Sequence, residues 1–227
     1  MSILAIIPAR GGSKEIPKKN IKMLGDKPLI GWTIKEALKT KSINKLIVST
    51  DCKEIANISR SFGAEIPFLR PSNLAQDNTP GVDTVLHAID NLSYFEWVLL
   101  LQPTSPFRNK SDIEGIINFA KKKNINSVVS VNKYSFNPFI VFEKNIEHKL
   151  KPLIDTENKI SNRQNLNIYY KVNGALYLCK SKWLLKYKNL ITLETYGYEM
   201  PLSRSLDIDT YQDWDEANHK IGNYSNY

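Results

Sequence analysis

The sequence predicts an α/β fold in which a mostly parallel sheet carries helices on both faces. Two observations carry this. Up to about Val131, short runs rich in Val, Ile and Leu alternate with segments of helical periodicity, and a short continuous apolar run reads as a strand buried on both faces. The strand–helix–strand order repeats along the same stretch, which argues for parallel strands joined by crossover helices.

Strands are predicted at residues 3–7, 45–49, 64–68, 97–102 and 127–131, and helices at 29–38, 52–62, 82–92 and 112–122. In the last of these helices Ile113, Ile116, Ile117 and Ala120 are spaced three, one and three apart and form one apolar face. Ser111 precedes it and stands three residues before Glu114, so Ser111 is the expected cap with an acidic first turn. After residue 132 the pattern changes. Residues 134–167 are polar, rich in Lys and Asn and weakly periodic. Regularity returns with a strand-like run at 174–178, a helix at 181–187, an extended segment at 205–209 and a helix at 211–220. The whole chain, 1–227, therefore reads as a single domain, with an insertion at about 134–170 that leaves and rejoins one sheet. Residues 222–227 read as a disordered tail.

At 227 residues, with 42% apolar and 24% charged positions, the chain can build one sizeable core, and wholesale disorder is excluded. No apolar run approaches a membrane span, and the N-terminal stretch ends at Pro8 without a basic leader. A cytoplasmic protein with no membrane partner is expected. Cys52 and Cys179 are too few for a disulfide framework, and His87, His148 and His219 are scattered without zinc spacing. The net charge of +8 gathers at Lys18-Lys19, Lys121 to Lys123 and Lys180 to Lys188. No helix-turn-helix, zinc-finger or RNP-type aromatic pattern accompanies these lysines, so no nucleic-acid partner is expected. Lys121 to Lys123 suit the end of a helix, and the excess charge also suits a small polyanionic substrate.

Three constellations can carry chemistry. First, the run Ile3 to Pro8 opens into Ala9-Arg10-Gly11-Gly12-Ser13-Lys14, with Lys18, Lys19 and Asn20 close behind. Glycines let backbone N–H groups approach an anion, and Arg10, Lys14, Lys18 and Lys19 can neutralise it, as a phosphate-holding loop requires. The run matches neither the Walker A nor the Gly-x-Gly-x-x-Gly pattern, and a basic surface loop is the alternative. Second, in an extended Leu206-Asp207-Ile208-Asp209-Thr210 the two aspartates project to one face, which suits a hard divalent cation such as Mg²⁺. Asp209 or Thr210 can equally cap the following helix, and the two readings are compatible. Third, Gln102-Pro103-Thr104-Ser105-Pro106-Phe107-Arg108 follows a buried strand, where open α/β sheets bind ligands. Gln102, Thr104 and Ser105 suit a polyhydroxylated substrate, and a plain proline-bounded turn is the alternative. Two weaker clusters are Arg70-Pro71 through Asp77-Asn78-Thr79-Pro80-Gly81, and Asn162-Arg163-Gln164 with Asn173-Gly174 on either side of Tyr169-Tyr170.

The ordered set Ile7 to Lys14, Pro17, Lys19-Asn20, Val48 to Asp51, Phe68 to Pro71, Leu100 to Pro106, Arg163-Gln164, Asn173 to Ala175 and Asp207 to Thr210 resembles the acylneuraminate cytidylyltransferase family, the CMP-sialic acid synthetases, in its bacterial monofunctional form. The resemblance implies a Rossmann-like three-layer α/β/α fold of the nucleotide-diphospho-sugar transferase type. It also implies a nucleotidyltransferase reaction, CTP plus a nonulosonic acid to CMP-sugar plus pyrophosphate, by in-line attack of the anomeric hydroxyl on the α-phosphorus. Arg10, Lys19 and Asp209 are implied as catalytic. Ala9, Arg10, Gly11, Gly12, Lys19, Asn20, Arg70, Asp77, Thr79 and Gly81 are implied as nucleotide-binding. Gln102, Thr104, Ser105, Arg163, Asn173 and Tyr177 would position the sugar acid, with Arg163 a partner for its carboxylate, and Asp207 and Asp209 would hold Mg²⁺. A homodimer is implied, built on the 134–170 insertion with its aromatic residues Phe136, Phe139, Phe142, Tyr169 and Tyr170. Glu15 stands where the family usually has glycine, and Gly81 where some members have serine, which leaves a backbone contact there. Asn162, Asn167 and Ile140 depart from residues common near the sugar, so acids of sialic, legionaminic and pseudaminic type have equal standing. The alternatives are a CMP-Kdo synthetase-like transferase and a catalytically impaired nucleotide-sugar-binding protein.

Overall fold

Ile3 to Ile7 are all buried, and their side chains alternate between two separate apolar clusters. That is the behaviour of a central strand covered on both sides. A computed structural model of the chain, which describes residues 1–134, 138–154 and 168–224, shows how. Strand β1 (Ile3–Pro8) leads to a two-residue pair, β2 (Met23–Leu24) and β3 (Lys27–Pro28), then α1 (Leu29–Leu38), β4 (Lys45–Ser49) and α2 (Lys53–Ser61). Next come α3 (Gly81–Asp90), β5 (Trp97–Leu101), α4 (Lys110–Lys123) and β6 (Ser127–Tyr134). A small hairpin, β7 (Phe142–Lys144) and β8 (Leu150–Pro152), precedes β9 (Tyr169–Lys180), α5 (Ser181–Tyr187), β10 (Tyr196–Glu199) and α6 (Tyr211–Tyr224).

The main sheet has the order β10-β6-β9-β5-β1-β4. Ile3, Ala5 and Ile7 pack with Ile30 and Ile34 of α1 and with Ile113, Ile116 and Ile117 of α4. Leu4 and Ile6 pack with Val85 and Ala88 of α3 and with Trp183 and Leu184 of α5. Three layers result. A third cluster brings Ile16, Leu24 and Leu29 against Ile208 and against Trp214, Ala217 and Ile221 of α6. It clamps the start of the chain to its end.

The pairings β1–β4, β1–β5 and β10–β6 are parallel, whereas β9 runs antiparallel to both β5 and β6. The mostly parallel sheet is thus a mixed one. The described residues between β6 and β9 include the β7–β8 hairpin, and β9 runs back along β6 in the opposite sense. The β6–β9 ladder continues out to Tyr134 opposite Tyr169.

Several local expectations are corrected. Residues 64–68 make only an isolated parallel bridge between Glu65 and Ile47, because Pro67 removes the next donor and the chain leaves the sheet. Helix α4 starts earlier than expected and is capped by Asn109, not Ser111. Asn109 Oδ1 accepts from Asp112 N while Asp112 Oδ2 accepts from Asn109 N, a reciprocal capping box. Strand β10, which joins the sheet edge beside β6, was not expected. Helix α6 runs on to Tyr224, into the stretch expected to be a tail. Phe136 of the insertion lies outside the described residues, as does the Asn162 to Gln164 cluster. Among the described residues no helix is long and apolar enough to cross a membrane.

The two capping assignments separate experimentally. Asn109→Ala should lower the unfolding free energy by about 1 kcal/mol in urea denaturation, and Ser111→Ala, on an exposed side chain, by less than about 0.5 kcal/mol.

Candidate active site

The carboxyl ends of β1 and β5 open onto a cleft of about 570 Å³. This is the crevice that an open α/β sheet offers a ligand. Of the residues expected in a nucleotide or sugar site, Arg10, Lys19, Asn20, Arg70, Asp77, Thr79, Gly81, Gln102, Thr104, Tyr177 and Asp209 all line it. Residues separated by up to 199 positions therefore converge on one space.

The loop after β1 is held from behind. Gly11 N–H donates to Asp51 Oδ1 at 2.9 Å, and Asn20 Nδ2 donates to the Arg10 carbonyl at 3.1 Å. A Cβ on Gly11 would stand 3.0 Å from Cys52 Cβ, so the small residue serves packing against the start of α2. The Gly11 N–H is accordingly spent on a carboxylate rather than offered to an anion. Ala9 is fully buried and donates to the Ser49 carbonyl, and Gly12 faces a shallower neighbouring pocket. Lys18 points to Glu54 of α2, 2.8 Å away, and does not line the cleft. The cations that remain at the cleft are Arg10, Lys14, Lys19 and Arg70.

Arg70 is buried, donates to Thr84 Oγ1 of α3 at 2.6 Å, and keeps a buried Nε–H with no acceptor. Burial holds its pKa below the usual guanidinium range, Asp51 opposes that shift, and nearby Arg10 adds to it. Two neighbouring guanidiniums, one with an unanswered donor, make a site that favours an anion. Thr84 had no role in the sequence reading, because nothing local connects it with a residue 14 positions earlier.

At the other side, Lys19 Nζ donates to the Ile208 carbonyl at 2.7 Å and to Asp209 Oδ1 at 3.0 Å. Ile208 N–H in turn donates to the Thr104 carbonyl at 2.8 Å. The aspartates flanking buried Ile208 differ in setting. Asp209 is exposed in the main cleft, whereas Asp207 lines a second pocket of about 510 Å³ with Asn132, Lys171 and Asn173. Thr104 lines the main cleft, and its interaction with the Asp207 carboxylate favours the charged form. Burial pushes Asp207 above the usual carboxylate range, and the Asp209 charge adds to that rise. Its Oδ1 is buried and accepts no hydrogen bond.

A buried carboxylate oxygen without a donor, beside a second carboxylate, fits a hard divalent cation such as Mg²⁺. Among the described residues no group of three or more His, Cys, Asp or Glu side chains forms a metal cage. Two carboxylates with the remaining positions left to phosphate oxygens and water is the arrangement Mg²⁺ commonly takes. Thr210 meanwhile caps α6: its Oγ1 accepts from Asp213 N at 3.2 Å, and its N–H donates to Asp213 Oδ2 at 2.7 Å. The cap and the two aspartates thus share one segment, with Asp209 at the main cleft and Asp207 at the second pocket.

Gly174 lies against this pair, at φ +75°, where a Cβ would come within 2.9 Å of Asp207 Oδ2. Asn173 is buried, with Oδ1 accepting from Ser130 Oγ at 2.5 Å and Nδ2 donating to Ser205 Oγ at 2.9 Å. It braces β6, β9 and the approach to Asp207. Ser105 is completely buried behind the cleft wall with no hydrogen-bond partner for its hydroxyl. Tyr177, opposite Leu100 in the sheet, lines the cleft, and burial raises its phenol above the usual range. Arg163 falls outside the described residues.

The Gln102 loop is anchored by Arg108, which was quoted in the motif without a role. Its fully buried guanidinium donates to the carbonyls of Gln102, at 3.1 Å, and Ala175, at 2.9 Å, and to Thr33 Oγ1 of α1, at 2.7 Å. Burial lowers its pKa to about 10. An arginine closing a loop that follows a buried strand was the available signal, but only the fold supplies its three acceptors.

With this geometry in place, comparisons with known proteins place the chain. Residues 4–221 match the cytidylyltransferase family model. The chain is 38% identical to a CMP-N,N'-diacetyllegionaminic acid synthase of Legionella pneumophila, covering 94% of each chain. It is 30% identical to a pseudaminic acid cytidylyltransferase of Campylobacter jejuni, over 96% of this chain and 95% of that one. It is 35% identical to an N-acylneuraminate cytidylyltransferase of Escherichia coli, covering 95% of this chain and 51% of the relative. A solved CMP:2-keto-3-deoxy-manno-octonic acid synthetase, complexed with CTP, shares the fold with a TM-score of 0.74 at 18% identity, over 99% of this chain and all of that one. Built around a cationic cleft at the strand ends and matched over nearly its whole length, the chain belongs to the cytidylyltransferase family.

Proposed function

We propose that the protein activates a nonulosonic acid, converting CTP and the sugar acid to the CMP-sugar and pyrophosphate. The observation that carries this reading is the convergence of Arg10, Lys19 and Arg70 with Asp209 on one cleft in a chain of this family. The anomeric hydroxyl oxygen attacks the α-phosphorus and releases its proton to solvent, the bond from that phosphorus to the bridging oxygen breaks, and pyrophosphate leaves with that oxygen. Such a transfer is driven by positioning and by stabilisation of charge moving onto the leaving group. Arg10, Lys14 and Arg70 bind the phosphates in this reading. Lys19 holds Asp209 in place and lends its charge to the same end of the cleft. Asp207 and Asp209 would hold Mg²⁺, which supplies positive charge for the phosphate oxygens when bound. Gln102, Thr104 and Tyr177 line the cleft, and there they orient the sugar acid.

The names of the Legionella and Campylobacter relatives support a bacterial acid of legionaminic or pseudaminic type as readily as a sialic acid. We further place the protein in the cytoplasm, which its two free cysteines support. A homodimer is supported by the apolar side chains exposed on and around the β7–β8 hairpin, among them Phe142, Ile146, Leu150, Leu153 and Tyr170.

Pyrophosphate release from CTP, assayed with a panel of sialic, legionaminic, pseudaminic and eight-carbon Kdo acids, tests the reading. Release with at least one nine-carbon acid is expected; no release with any acid despite CTP binding would refute it. Asp209→Asn should lower kcat by about 10²–10³. Gly174→Ala should lower stability by about 1–2 kcal/mol and depress activity with it, because the new Cβ meets both the left-handed backbone and Asp207. Light scattering on the wild type should give a dimer mass, and Ile146→Asp combined with Leu153→Asp should shift it toward the monomer.

A further inference from the structure

The cations of the phosphate loop are already answered by one side chain. Arg10 Nη1 lies 2.6 Å from Asp77 Oδ1, and Lys14 Nζ is ion-paired with Asp77 Oδ2. A single carboxylate therefore spans both cations, and both charges hold Asp77 below the usual carboxylate range, Lys14 foremost. Asp77 belongs to the connection between Arg70 and α3. That connection is folded by its own bonds: Leu74 N–H to the Pro71 carbonyl at 2.9 Å, Gln76 N–H to Thr79 Oγ1 at 3.2 Å, and Thr79 Oγ1 to the Asn73 carbonyl at 3.3 Å. Its shape thus does not depend on the Asp77 carboxylate. The side chains of Asp77 and Lys14 are 41% and 81% exposed, so these ion pairs are weak enough for a ligand to exchange. The carboxylate also stands inside the space a ligand needs, because Arg10, Lys14 and Asp77 all line the main cleft.

We propose that Asp77 sets the charge threshold of the phosphate loop: its carboxylate competes with ligand phosphates for Arg10 and Lys14, so that a triphosphate displaces it and a monophosphate ester does not. This rests on the reading of the cleft as a nucleoside triphosphate site. A triphosphate can reach both cations at once with separate phosphate groups and replaces two ion pairs by two stronger, multiply charged ones. The single phosphate of CMP, with about two negative charges, must displace the same carboxylate with one group. In the CMP-sugar that phosphate is a diester with one ionisation left, so the product is a weaker competitor still. Asp77 thereby acts as a specificity determinant through Arg10 and Lys14, favouring entry of CTP and exit of product at the same loop.

Calorimetric titration of the full-length protein and its Asp77→Asn and Asp77→Glu variants with CTP, CMP and inorganic tripolyphosphate, at fixed ionic strength with Mg²⁺, tests this. In Asp77→Asn, CMP should bind about five- to tenfold tighter while CTP and tripolyphosphate gain less, so the preference for triphosphate over monophosphate shrinks. Asp77→Glu, which keeps the charge, should retain the wild-type preference. In turnover, Asp77→Asn should show stronger inhibition by CMP. An unchanged preference in Asp77→Asn, or weaker binding of all three ligands, overturns the threshold and leaves Asp77 a structural tie while the triphosphate site stands. A wild-type protein that binds neither CTP nor tripolyphosphate overturns the triphosphate reading itself, and this inference with it.

Discussion

The site depends on one buried backbone unit, the peptide on either side of Ile208. Its N–H donates to the Thr104 carbonyl, its carbonyl accepts from Lys19 Nζ, and its side chain is sealed among Ile16, Leu24, Leu29 and Trp214. Those three contacts tie together the loop after β1, the loop after β5 and the segment before α6. Asp207 and Asp209 flank this fixed point, so their backbone positions are set by the apolar cluster. Burying a lysine ammonium against one carbonyl and one carboxylate oxygen answers two of its three donors and leaves the side chain only 14% exposed.

Around that point the protein arranges charge in layers. The outward-facing Lys18 is held by Glu54, the backbone of Gly11 by Asp51, and the cations at the cleft by Asp77 and Asp209. An empty anion site lined by bare guanidiniums would repel itself, and the Arg10–Arg70 proximity shows how close that limit is. Carboxylates at the rim keep the loop folded while leaving its charges exchangeable. Glu15, a carboxylate at the cleft in a loop position where the resembled family usually has glycine, belongs to the same rim and is exposed.

The sequence made the layered fold legible because the strongest signals are periodic. Helices α1 and α5 begin and end at the expected residues, and β4 does as well. Errors arose where a local signal competed with a distant one. Residues 64–68 look like a strand until Pro67 interrupts pairing. Ser111 looks like a cap until Asn109 forms the reciprocal bond with Asp112, itself buried and gripped by Arg204 from the far end of the chain. The direction of β9 was also beyond local reading, since apolar alternation is the same for parallel and antiparallel strands.

The sequence by itself determined which residue types could serve an anion site. Glycines, cations and paired carboxylates are chemically distinctive, and most of those singled out line one cleft. It also determined the α/β class, through apolar runs that only a doubly covered sheet can bury. The tertiary structure alone decided how those groups are spent. It committed Gly11 to Asp51, turned Lys18 outward, sealed Ser105 away, made Asn173 a brace, and gave Arg108 and Thr84 their work. Apart from the burial of Ser105, each of these outcomes is a hydrogen bond or ion pair between residues brought together by the fold, and a one-dimensional pattern carries no record of such partners.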